Sequence, residues 1–78
     1  MDIDALISRL DEAAQHVLEA NALSPEDKAE TGLMITGYHA ALEAMKSQPA
    51  IDQAMLGICA TIENFCDLVQ STFVSEVA

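Results

Sequence analysis

An apolar ladder in the last third of the chain is its most regular feature. Ile51, Met55, Ile58, Ile62, Phe65 and Val69 recur at alternating steps of four and three, the spacing of one stripe along an α-helix. A second ladder, Cys59, Cys66 and Phe73, runs beside it at steps of seven. Together they predict a helix over about 49–75 with a wide buried face, on which the rest of the chain packs.

Two earlier segments carry the same periodicity. Over about 3–20, Ile3, Leu6, Ile7, Leu10, Ala13, Ala14, Val17 and Leu18 fall on one side, and Ser8, Asp11, Glu12, Gln15 and Glu19 on the other. Asp2 is placed to cap this helix, and Asp4 stands in its first turn, where the helix dipole favours an anion. Over about 25–46, Met34, Tyr38, Ala41, Leu42 and Met45 form a stripe of large residues, with Gly37, Ala40 and Ala44 as a small-residue stripe beside it.

The breaks between helices carry their own signals. Asn21 is suited to the left-handed conformation that ends a helix. In Ser24-Pro25-Glu26-Asp27, Ser24 caps, Pro25 sits in the first turn where no donor is lost, and Asp27 is placed to return a bond to the Ser24 backbone. Pro49 disfavours helix at Gln48 and suits the first turn of the third helix, with Asp52 as an early negative charge. Gly32 and Gly37 each cost about 1 kcal/mol against Ala inside a helix. Either close approach of another backbone along the Gly37/Ala40/Ala44 edge offsets that cost, or the weakness is simply tolerated. These elements predict an all-α fold: one domain, 1–78, as an up-down-up antiparallel three-helix bundle with a long C-terminal helix. At about 1.5 Å per residue the third helix outreaches the other two, which would leave Phe73, Val74 and Val77 uncovered.

Charge narrows the function classes. Thirteen acids against three bases give a net charge of −10. Such a surface is repelled by duplex DNA and by anionic membranes, so neither direct nucleic-acid binding nor membrane binding is expected. A partner protein with a basic surface is the electrostatic complement; the plainer alternative is that the acids only confer solubility. Asp2, Asp4, Asp11, Glu12, Glu19, Glu26, Asp27 and Glu30 all fall within the first thirty residues. If the first helix and the start of the second present them together, they make a partner-binding patch. A protein that imitates nucleic-acid phosphates, such as a phage-encoded anti-defence (anti-CRISPR-like) inhibitor of a basic nucleic-acid-binding protein, would be built in the same way.

The residues with reactive side chains form no recognisable site. His16 has Glu12 and Glu19 on its own helix but no third converging ligand, and His39 lies elsewhere, so no metal site is expected. Cys59 and Cys66 are about 10.5 Å apart along a helix axis, too far to bridge within it; they read as small core residues in a reducing compartment. No phosphate loop or nucleophile motif occurs, so neither a cofactor nor catalysis is expected. Size, acidity and helicity are shared with acyl carrier proteins. Their Asp-Ser-Leu attachment motif is missing, however: Ser24 precedes Pro25 and Ser47 precedes Gln48. No export signal or bilayer-length apolar run stands out, which points to a cytoplasmic protein of bacterial or phage origin. The expectation is a non-catalytic interaction module, an inhibitor, adaptor or chaperone, that occupies a partner surface. It would be a homodimer paired through Phe73, Val74 and Val77 together with Gly37, Ala40 and Ala44.

Overall fold

The computed structural model describes residues 2–74. Three α-helices follow one another: α1, Ile3–Glu19; α2, Pro25–Lys46; and α3, Gln53–Val69. The last continues directly into a π-helical turn, Gln70–Val74. They pack against one another as an all-α three-helix bundle.

Each helix begins on a side-chain cap. Asp2 accepts a hydrogen bond from the Ala5 N–H at 3.2 Å, Ser24 Oγ from the Asp27 N–H at 3.1 Å, and Asp52 from the Met55 N–H at 2.9 Å. Each satisfies one of the amide donors that a helix start leaves without an intrahelical partner. The third cap corrects the expected start of α3. Asp52 is the cap rather than an early charge, so the helix begins four residues later than 49 and Pro49 lies in the connection. The end of α1 also differs. Ala20 turns the chain out in an extended conformation, and no non-glycine residue among those described has positive φ, so Asn21 is not a left-handed stop.

The core is a single apolar cluster. α1 contributes Leu6, Leu10, Ala13 and Val17; α2 contributes Ile35, Leu42 and Met45; α3 contributes Cys59, Ile62, Cys66 and Val69. On α3 the buried line runs between the two expected ladders, and Ile58 is exposed. On α2 the phase is shifted from expectation: Ile35 is buried, while Met34 is exposed and Tyr38 and Ala41 are only half-buried.

α1 packs closely on both other helices, whereas α2 and α3 meet each other sparsely. Every Lys and Arg side chain fastens α1 to a neighbour. Lys46, at the end of α2, lies 3.0 Å from Asp4 at the start of α1, and Lys28 donates to the Leu18 carbonyl at the other end of the pair at 2.9 Å. These two contacts run α1 and α2 antiparallel. Arg9 reaches Asp67 on α3 at 2.6 Å.

The C-terminal end corrects a further expectation. α3 has 17 residues and runs on through the five-residue π turn, 22 in all, the same as α2. A π turn advances each residue by less than the roughly 100° of an α-helix. The turn lies against α1. Phe73 is half-buried and packed on the core instead of projecting free. Of Val74 only the backbone is described, and Val77 lies outside the described residues.

Candidate functional site

Charge is unevenly distributed over the bundle. The outer side of α1 carries Asp4, Asp11, Glu12 and Glu19, all exposed. Asp4 is paired with Lys46. Asp11 Oδ1 lies 3.9 Å from His39 Nε2, an ion pair only when the imidazole is protonated. Glu19 accepts a hydrogen bond from Gln15 Nε2 at 2.7 Å, one turn back along the same surface. The Asp4 hydrogen bond, then the Asp4 and Glu43 charges, raise the Lys46 ammonium above the usual lysine range. The hydrogen bond to Asp67 does the same for the Arg9 guanidinium, against a partial opposing effect of burial.

The remaining acids of the expected patch stand apart. Lys28 faces α1, and residues two positions away on a helix point to nearly opposite sides. Glu26 and Glu30, each two positions from Lys28, therefore turn away from α1. Asp27 sits in the first turn of α2, its amide capped by Ser24. The structure thus gathers the four acids of α1 on one surface and places Glu26, Asp27 and Glu30 in a second group at the start of α2.

The open side of α2 and α3 is the reverse of the α1 surface. From Thr31 to Leu42, α2 contains no Asp, Glu, Lys or Arg, and its one titratable imidazole, His39, faces Asp11 of α1. From Gln53 to Val74 the only charged residues are Glu63 and Asp67, and both act on Arg9 of α1. What remains on the open side is neutral: Met34, Gly37, Ala41 and Ala44 from α2, and Ile58, Thr61, Phe65 and Leu68 from α3. Leu33, also on α2, is 75% exposed and Leu68 is 63% exposed. Tyr38 and Phe65 bridge the two helices edge to face, with ring centroids 5.6 Å apart at 64°.

Two hollows flank that aromatic bridge. One, of about 220 Å³, is lined by Met34, Phe65, Leu68 and Phe73 among others; the second, of about 390 Å³, lies between Ala41 and Ala44 on α2 and Met55 and Ile58 on α3, with Gln48 and Asp52 also in its lining. The small-residue stripe Gly37, Ala40 and Ala44 is exposed, and a Cβ added at Gly37 would meet nothing within 4 Å. No other part of the described chain therefore approaches its backbone there. Leu33, Leu56 and Leu68 did not figure among the expected surface residues, although the gap in charge around Leu33 and Leu68 is legible in the sequence.

The reactive side chains lie elsewhere. Burial raises both thiols above their ordinary range, with Arg9 pulling the other way at Cys66. Cys59 Sγ rests 3.7 Å from Met45 Sδ inside the core. His16 and Glu12 line a hollow of about 70 Å³ with Arg9 and Cys66, room for about two waters. Among the described residues no three His, Cys, Asp or Glu side chains come together as a metal site would need, and no helix is long and apolar enough to cross a membrane. No family model matches the chain, and no curated protein or solved structure matches it.

Proposed function

We propose that this chain is a small non-catalytic interaction module that occupies a basic surface on a partner protein in the cytoplasm. The outer side of α1 would be its contact face, with Asp11, Glu12 and Glu19 as the contacting acids and Asp4, held by Lys46, at its end. One observation carries the reading: every Lys and Arg is engaged in fastening α1 to the bundle. The acids that remain on the outer surface are therefore without a cation of their own chain and available to one from outside. Complementary potentials of this kind raise the association rate and select among partners more than they add affinity.

The test is affinity capture from the native host, run in parallel with the wild-type chain and with Asp11→Lys/Glu12→Lys/Glu19→Lys. A protein held by the wild type should be lost from the charge-reversed chain, and its binding should weaken steeply with salt. Equal capture by both would end the proposal. The same line of acids supports the second reading, a nucleic-acid mimic. In that case the captured protein binds nucleic acid, and added duplex or single-stranded DNA or RNA displaces it from the chain.

A further inference from the structure

We propose that the neutral face of α2 and α3 is where two copies of this chain pair, leaving both α1 helices on the outside of the dimer. The proposal does not depend on the reading of α1 above.

Electrostatics identifies the occupant. A second copy brings its own charge of −10. Two such chains approach closely only over a surface poor in acids, and this face has none between Thr31 and Leu42 on α2 and, along the matching side of α3, only Asp52, which caps that helix at the edge of the larger hollow. A basic partner would gain no ionic contact at the same place. The two acids of α3 are turned toward Arg9, so pairing through the open side keeps the charged surfaces of both copies apart and in water.

Shape points the same way. The face carries protruding side chains, Leu33 and Leu68, and also hollows of about 220 and 390 Å³. A two-fold interface needs both on one patch, because each copy must offer what the other receives. The exposed small edge at Gly37, with open space above it, lets a second helix come close. From Thr31 to Leu42 the face extends over about 18 Å of helix, at 1.5 Å per residue, and about 20 Å across two helices. Pairing would cover about 360 Å² per copy in projection, about 700 Å² in total, which is the size class of weak, concentration-dependent contacts.

Sedimentation velocity from about 1 to about 100 µM, the range of weak to moderate dimers, tests the proposal. The wild type should pass from chain mass to twice chain mass. Leu68→Glu and Leu33→Glu, at exposed positions on two different helices, should each raise the dissociation constant at least about tenfold, equivalent to about 1.4 kcal/mol, with helical circular dichroism unchanged. Leu18→Glu is the matched control: Leu18 is 64% exposed but lies on α1, and it should leave the dimer intact.

A wild type that stays at chain mass throughout overturns the proposal, as does a dimer that Leu18→Glu breaks and Leu68→Glu does not. A single-chain protein that binds a synthetic Lys/Leu amphipathic helix, with binding lost in Leu68→Glu, also overturns it and assigns the face to a partner helix. These outcomes are separable from failure of the α1 reading, which equal capture by the charge-reversed chain would show while the dimer persisted.

Discussion

α1 and the α2–α3 seam solve the same packing problem in opposite ways. α1 lies on both neighbours through four buried side chains and is fastened by every Lys and Arg in the chain. α2 and α3 meet chiefly through Met45 against Cys59 and Tyr38 against Phe65, with hollows on either side of the aromatic pair. The difference shows where cohesion resides: the chain is held by α1, and its other two helices keep an apolar side that no part of the described chain covers.

If that comparison is right, the largest loss comes from the α1 side. Leu10 is fully buried, and Leu10→Ala should cost about 2–5 kcal/mol in urea unfolding. At the seam, Phe65→Ala should cost only about 1–2 kcal/mol, because its ring is half-buried. A loss at Phe65 equal to that at Leu10 would reverse the comparison.

Two glycines sharpen it. An added Cβ meets nothing within 4 Å at either Gly32 or Gly37. In dilute protein, Gly32→Ala and Gly37→Ala should each therefore stabilise by about 1 kcal/mol. At high protein concentration the gain should persist at Gly32, on the α1 side, and shrink at Gly37, on the neutral face. Equal gains at all concentrations would mean that face stays uncovered.

Smaller effects come from charge. Arg9 and Asp67 are both substantially exposed, so Arg9→Gln should cost less than about 1 kcal/mol in thermal unfolding. The buried thiols give a pH dependence of definite sign. Their folded pKa values are raised, so the folded state holds its protons longer than the unfolded one. Stability is then complete below about pH 8.5, where unfolded cysteine begins to ionise, and falls as pH rises toward the folded values. Urea midpoints measured on both sides of about pH 8.5 should show the fall, and Cys66→Ala should flatten it.

Much of this fold was legible in the residues. α1 and the start of α2 carry single, unambiguous caps, and the expected bounds of α2 match those observed. The phase of α2 was not legible, because Leu33, Met34 and Ile35 are consecutive and the glycines and alanines around them blur the contrast that marks a buried stripe. The start of α3 held two competing signals, and the Asp52 side-chain bond prevailed over the ring of Pro49. The π turn leaves no pattern in the sequence, so Phe73 was expected to project free. The acids of α1 and of the start of α2 were read as one patch; those of α1 share a surface, and Glu26, Asp27 and Glu30 form a second group. Of the neutral face only the small-residue edge Gly37, Ala40 and Ala44 was read; the rest is marked by missing charges, and a count of charged residues does not show where they are missing.

The basic side chains that fasten α1 carry one more consequence. Lys28 and Lys46 are the only two lysines, and each ammonium pins an opposite end of the α1–α2 pair. Acylation of both amines would remove two of the three basic charges and release both pins in one step, with the apolar core untouched. Lysine chemistry on this chain would act first on how α1 is seated, before any partner is involved.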